Sequence, residues 1–522
     1  MPNAFIQSFR DSRWFYLFIC VHLILWTLVP VLVRYNLPLD SIEGSIWGHQ
    51  LEWGYDKNPF LNGWLTALAA YLGGQSGWMI YFFSQISVVI CFWATWKLAK
   101  NMLPPLYALV AVMMLEGIQY YNFHAIDFND NTLELSLWAL TIYFFYQALC
   151  SSSKQSWLLT GLFAGLSMMA KYYTATLLAA MVLFLFLHAD NRKQLKTFPP
   201  YLGLIMFLAV ILPHVIWLFF HDFITITYVI ERGSSTPHWT NRFFYPAQFA
   251  WQQLQAFLPA IILYALFLVN KKGWMRNVWY FGRQKPIVCE QVKPSKADDS
   301  EPLPENNSPK LSFFNRSFLF YVGLGPFLLT ILISLLLGTK LRAGWGMPLL
   351  STWGIILIGL SQPTVTKAII YRFIASIYIL IGVLLAGYSL SLTYSSSPTS
   401  ANFPGREIAR IITQQWHDKF HTKLAYVGGS RWLGGNIGFY SADHPAVFIE
   451  WDIHRAPWIN INTLKQNGAI FLWDVTNNET LPDTIQERFP QLQQATTLEF
   501  SWLRNTNLTP IKIGIAFLPP RS

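Results

Sequence analysis

The run Trp14–Val33, WFYLFICVHLILWTLVPVLV, holds twenty residues without an Asp, Glu, Lys or Arg. An α-helix needs about 20 apolar residues to cross the hydrocarbon core of a bilayer, so this run alone points to a membrane span. It follows Arg10 and Arg13 and in that respect looks like a signal sequence. It is long for a cleavable apolar region, and no small-residue cleavage site follows, so an uncleaved first transmembrane helix is expected. Comparable runs near 78–96, 104–121, 133–150, 157–170, 173–188, 201–220, 249–269, 317–337, 347–361 and 368–390 bring the expected spans to about eleven. The segment 59–74 is short and interrupted by Asn62 and Gly63, and reads as a helix lying along the interface. Composition agrees: 53% of the 522 residues are hydrophobic and only 12% are charged, against about 25% charged in a soluble domain. The fold class read from the chain is therefore a polytopic α-helical membrane protein.

The net charge of +10 suggests a nucleic-acid partner until the cations are placed. With the N-terminus inside, nineteen Lys and Arg fall in cytoplasmic segments, seven in outer loops and eleven in the C-terminal tail. That bias follows the positive-inside rule. It assigns the charge to anchoring beside anionic lipid, with no nucleic-acid role, and an odd number of spans puts the tail outside. The four cysteines lie in spans or in one polar loop, form no CxxC metal pattern, and lead to no expected disulfide contribution to the fold.

The inner loop 271–316 contains KPSKADDSEPLPENNSPK and reads as a flexible cytoplasmic linker. The expected division is a membrane part over 1–394 and a soluble extracytoplasmic α/β part over 399–522. In the latter, a helix over Arg406–Phe420 precedes strands near 424–427, 446–451, 469–473 and 511–517. No P-loop, nucleophile elbow or dinucleotide fingerprint occurs in it. Its position suggests that it caps a site at the membrane surface.

The first outer loop, LPLDSIEGSIWGHQLEWGYDKNPFL over 37–61, concentrates the chemistry. Asp40 and Glu43 are three residues apart and share a helix face. The plain structural reading is that Asp40 caps that helix and Glu43 completes a capping box. His49, Glu52, Asp56, Lys57 and the aromatics Trp47, Trp53, Tyr55 and Trp64 crowd the same stretch, and such aromatics suit sugar rings as well as a membrane interface.

An early acid, then Trp47-Gly48, Leu51, Trp53-Gly54-Tyr55 and Pro59 before an apolar helix, resembles the GT-C glycosyltransferases of the protein O-mannosyltransferase and lipid A aminoarabinose transferase superfamily. The likeness extends to Gly161-Leu162, Gly165-Leu166 and Lys171-Tyr172, and to Phe128-Asn129-Asp130-Asn131 leading to Trp138. Within that superfamily the chain is most similar to the bacterial branch with lipid A galacturonosyltransferase-like proteins. It departs from many relatives in having Pro59-Phe60 where they have two prolines, and Asp40-Ser41 where they have Asp-Glu. The resemblance implies a GT-C membrane fold in a bacterial inner membrane, with the site and the C-terminal part on the periplasmic side. It implies sugar transfer from a polyprenyl-phosphate carrier to lipid A or another glycolipid acceptor.

Displacing a phosphate monoester from an anomeric carbon needs fixed positive charge more than a proton donor. An acceptor hydroxyl needs a general base, for which Asp40 is the candidate with Glu43 beside it. Candidate substrate contacts are Lys57, Asp130, Lys171, Tyr172, Arg232, His238, Lys340 and Arg342. The plain alternatives are an interfacial anchor for Lys171 and acidic partners for Lys340 and Arg342. Glu116, at the end of a span, is either functional or snorkels to the interface. No cofactor is required, although His124, Asp127 and Asp130 with Asp40 and Glu43 offer a divalent metal a set of ligands. The rival class is a transporter or lipid flippase, for which charged, broken helices near the midplane would be expected; Pro213-His214 is the one candidate for such a break, and a lone His there is more often a packed polar residue.

Overall fold

The computed structural model describes residues 12–233, 239–268, 310–363, 365–475, 483–504 and 507–521. His238 and most of the expected linker 271–316 lie outside them. Among the described residues, six helices are long and apolar enough to cross a membrane: Arg13–Val33, Trp78–Met102, Asp130–Ser151, Pro199–Phe220, Phe313–Leu337 and Ala368–Thr393. A pair bent by 54°, Ala343–Leu350 with Trp353–Ser361, makes a seventh if counted as one span. The other expected runs are also helical, but 105–117 and 172–187 are short apolar helices, and 154–170 has 17 residues. The eleven or so expected spans thus include several short or bent helices. Pro348 inside the 343–350 segment accounts for part of the bend, since its ring clashes with the preceding turn. At Leu319–Leu324 one turn widens to a π-helix just before Pro326, which has no N–H to give to that turn.

Glycine sets the closest helix approaches. A Cβ on Gly161 would lie 1.9 Å from the Gly203 carbonyl oxygen, so helices 154–170 and 199–220 touch backbone to backbone. A Cβ on Gly48 would lie 2.3 Å from the Gly63 oxygen, which fixes helix Leu39–Gly48 against helix Leu61–Gly73. One buried polar cluster braces the bundle. The fully buried Glu116 accepts from Trp26 Nε1 at 2.9 Å and lies 2.7 Å from His22 Nδ1, so it does not snorkel. Asn122 donates to its backbone carbonyl at 2.9 Å, tying the second outer loop to this cluster. Cys150 is disulfide-bonded, contrary to the expectation that disulfides contribute nothing, while Cys20 and Cys91 are free.

Beyond residue 398 the chain forms a five-stranded sheet of order β2-β1-β3-β5-β4. The strands are β1 Tyr426–Gly429, β2 Ala446–Ile449, β3 Ala469–Asp474, β4 Gln493–Phe500 and β5 Ile511–Leu518. β1 is parallel to both β2 and β3, whereas β5 runs antiparallel to β3 and β4. The helix Gly405–Phe420 forms where its pattern predicts, burying Ile408, Ile412 and Trp416 on one face. The edge strand β4 was not anticipated.

This region packs directly on the first outer loop. Helix Leu433–Tyr440 lies against helix Leu39–Gly48, so close that a Cβ on Gly435 would sit 2.6 Å from Ile42. Tyr440 Oη accepts from the Leu37 amide at 3.1 Å, and the Ala401 carbonyl accepts from the Tyr35 amide at 2.9 Å.

Candidate active site

Helix Leu39–Gly48 starts without a cap of its own: Pro38 occupies the N-cap position and makes no side-chain capping bond. The cap comes from the second outer loop. Asp127 accepts from the Ser41 amide at 2.9 Å, the Ser41 hydroxyl at 2.8 Å and the Asp40 amide at 3.3 Å. A carboxylate there satisfies orphan N–H groups and faces the positive end of the helix dipole. Asp127 therefore serves as the cap that the sequence suggested for Asp40, and it is not a solvated loop acid.

The Asp40 carboxyl is left with one partner, the Asn129 side-chain amide, which donates to Oδ2 at 3.0 Å. Burial is the largest influence on its protonation, followed by repulsion from Asp127 and Asp130, and together they push the carboxyl up to about 7. The Asn129 hydrogen bond and the charge of Lys57 act in the opposite direction. A carboxyl poised there is half ionised near neutral pH and suited to taking a proton.

Glu43 has a different environment. Its Oε1 accepts from Lys57 Nζ at 2.6 Å and from Arg431 Nη1 at 2.6 Å. Arg431 also pairs with Asp56 through Nη1 at 3.3 Å and through Nη2. Glu43, Asp56 and Arg431 are all buried. Burial pushes the Glu43 carboxyl up, with Arg431 and Lys57 pulling against it. The capping-box alternative for Glu43 is thereby replaced by an ion network, and its carboxylate is engaged by two cations.

Lys171 follows the last turn of helix Lys154–Ala170. Its ammonium lies 2.7 Å from Asp130 Oδ2, 2.5 Å from Asn131 Oδ1 and 5.9 Å from the Trp345 ring centroid. With the side chain 15% exposed, it is a held cation and not a snorkelling anchor. Tyr172 Oη bonds to His214 Nε2, and the opposite ring nitrogen lies 2.7 Å from the Trp53 carbonyl. A carbonyl can only accept, so Nδ1 carries the proton and Nε2 accepts from the tyrosine. His214 is thus a packed polar residue bracing the first loop, and Pro213 lies inside an unbroken helix.

The remaining cations adjoin this cluster on one side. Lys57 lies 6.0 Å from the Tyr228 ring centroid, and Arg232 bonds to the Tyr228 hydroxyl. The Lys340 amide donates to Gly233 O at 3.3 Å, which brings the exposed Lys340 and Arg342 beside the helix that carries Arg232. Of the residues singled out from the sequence, Asp40, Glu43, Lys57, Asp130 and Lys171 are linked through these contacts, whereas the Tyr172 side chain turns to His214. Arg232, Lys340 and Arg342 form the rim of this cluster. No group of three or more His, Cys, Asp and Glu gathers to hold a metal among the described residues. Sequence reasoning missed Arg431 and the capping role of Asp127, because both act on residues far away in the chain.

Comparison with known proteins agrees with this architecture. Residues 57–217 match the family described as dolichyl-phosphate-mannose-protein mannosyltransferase. The chain is 22% identical over 486 residues to the lipopolysaccharide core galacturonosyltransferase RgtA of Rhizobium johnstonii, covering 91% of this chain and 89% of that protein. It is 26% identical over 215 residues to RgtB of the same organism, covering 40% and 43%. Its fold superposes on ArnT from Cupriavidus metallidurans bound to undecaprenyl phosphate with a TM-score of 0.62, at 12% identity and over 98% of this chain and 100% of that one. For the apo form of the same protein the TM-score is 0.52, with 98% and 99% covered. Residues 57–217 are thus similar to the protein mannosyltransferase family, and the overall fold is similar to that of ArnT.

Proposed function

We propose that this chain is a membrane glycosyltransferase moving a sugar from a polyprenyl-phosphate carrier to an envelope lipid of the lipid A or core type. The reaction would take place on the periplasmic face of a bacterial inner membrane. The observation that carries the reading is Asp40, a partly buried carboxyl raised to about 7, on the helix whose Glu43 holds Lys57 and close to Asp130, which holds Lys171. The similar ArnT has been solved with undecaprenyl phosphate, and similar Rhizobium proteins are named as lipopolysaccharide core galacturonosyltransferases. These names support the donor class and the acceptor class.

In this reading the acceptor oxygen attacks the anomeric carbon. The bond from that carbon to the phosphate oxygen breaks, and its electron pair leaves with the polyprenyl phosphate. Lys57 and Lys171, with the rim cations Arg232, Lys340 and Arg342, stabilise the departing anion. A hydroxyl acceptor gives its proton to Asp40. A phosphate acceptor is already ionised, and Asp40 then only orients it. The reading requires no metal.

Deleting the gene and comparing envelope lipids by mass spectrometry tests it. A sugar mass should disappear, return with the wild-type gene and fail to return with Asp40→Asn. Full restoration by Asp40→Asn removes Asp40 as the base. Movement of a substrate across the membrane by the purified protein, with no glycosidic bond formed, would favour a transporter instead.

A further inference from the structure

We propose that Arg431 of the C-terminal region is a positioning residue that neutralises Glu43 and thereby frees the charge of Lys57 for a lipid phosphate. The inference rests on the donor reading above, with Lys57 as one of the cations that meet the phosphate.

The argument begins with charge. Glu43 Oε1 is shared by Lys57 and Arg431, each at 2.6 Å. Glu43, Asp56, Lys57 and Arg431 together carry no net charge. Without Arg431 the same pocket holds two carboxylates and one ammonium. The surplus negative charge then lies beside the place where an anionic lipid head must bind. Lys57, an ammonium on a flexible stem, would be drawn fully onto Glu43. With Arg431 present, the guanidinium takes both acids and Lys57 keeps charge to offer.

Geometry gives Arg431 the rigidity that the role needs. It follows β1, which lies between β2 and β3 in the sheet, and immediately precedes helix Leu433–Tyr440. Ser430 Oγ accepts from the Leu433 amide at 3.1 Å, and the Trp432 ring packs 5.0 Å from that of Phe403. Helix Leu433–Tyr440 is itself seated on helix Leu39–Gly48. On the other side, Asp56 and Lys57 belong to a tight loop closed by the Tyr55 amide donating to Asn58 O at 3.0 Å. Arg431 thus clamps two segments of the first loop, at residues 43 and 56, from the region of the C-terminal sheet. A planar fork suits two carboxylates in a way that an ammonium does not.

The test measures equilibrium binding of undecaprenyl phosphate to the full-length protein in lipid nanodiscs. Four forms are compared: wild type, Arg431→Met, Glu43→Gln and the double variant. Arg431→Met should weaken binding about tenfold, the order expected when one uncompensated charge is placed a few ångströms from a bound anion. Glu43→Gln should tighten it, and the double variant should recover most of the loss, which a merely structural role of Arg431 would not produce. Wild-type affinity in a folded Arg431→Met, or a double variant as weak as Arg431→Met, overturns the proposal. Should Arg431→Met fail to fold, Glu43→Gln decides alone, and weaker binding by it overturns the proposal. Failure of the wild type itself to bind refutes the donor reading and this inference with it.

Discussion

Replacing Asp40 by Asn should abolish transfer and at the same time stabilise the protein, and the second effect has a pH dependence fixed by the structure. Burial and two neighbouring acids raise this carboxyl to about 7. Holding it ionised in the folded state therefore costs at most about 4 kcal/mol relative to an ordinary carboxylate. The remaining solvent contact of the side chain reduces this to about 2–4 kcal/mol. The folded protein keeps the Asp40 proton to higher pH than the unfolded chain does. Its contribution to stability is therefore fully present below the usual carboxylate range and lost as pH rises through 7. Asn has no proton to lose and fits the same space beside Asn129. The stability gap between Asp40→Asn and wild type should open by about 2–4 kcal/mol between about pH 4 and 7, and level off above. Thermal unfolding of both proteins in one detergent, scanned from about pH 5 to 9, measures the gap directly, and subtraction removes groups common to both. A gap that does not change with pH, or a variant less stable than wild type at about pH 8, would refute the reasoning. The loss of transfer should be about 10²–10⁴-fold in kcat, the usual contribution of a general base.

Two further outcomes follow from the same geometry. For a hydroxyl acceptor, kcat/KM for transfer should rise with pH and reach a plateau above about 7, as Asp40 ionises; a profile flat through that range would show that Asp40 is not the titrating base. Gly161→Ala places a methyl 1.9 Å from the Gly203 carbonyl oxygen, which must move the helix backbones apart; a loss of about 1–3 kcal/mol is expected from such overpacking, read as a lower melting temperature.

Much of the membrane fold was legible because its signal is local. Runs such as Trp14–Val33 contain no charge to interrupt them, and a helix is the structure that satisfies their backbone in lipid. Where a Pro lies within an apolar run, as at Ala343–Leu350, the apolarity continues but the axis bends. β4 escaped notice because Gln493–Phe500, QQATTLEF, is an edge strand with no sustained apolar alternation, defined by its pairing with β5. The first-loop acids were legible from their density. Arg431 was not, since it lies 388 residues from Glu43 and no periodicity encodes such a meeting. The capping of Asp40 and Ser41 by Asp127, 87 and 86 residues away, was hidden for the same reason.

Those distant contacts are what distinguish Asp40 from the acids around it. Asp127 accepts three hydrogen bonds from the start of helix Leu39–Gly48. Asp130 faces the Lys171 ammonium, Glu43 faces Lys57 and Arg431, and Asp56 faces Arg431. Each is engaged by cations or by a helix terminus, although burial still pushes the Glu43 and Asp127 carboxyls up against those partners. Asp40 has only the neutral amide of Asn129, on one oxygen, among the described residues. The same packing that satisfies four acids therefore leaves the fifth underpaired, raises its affinity for a proton and keeps one oxygen open to an incoming group. A site organised only for stability would give that oxygen a partner, and the cost of leaving it without one is the quantity that the Asp40→Asn unfolding experiment measures.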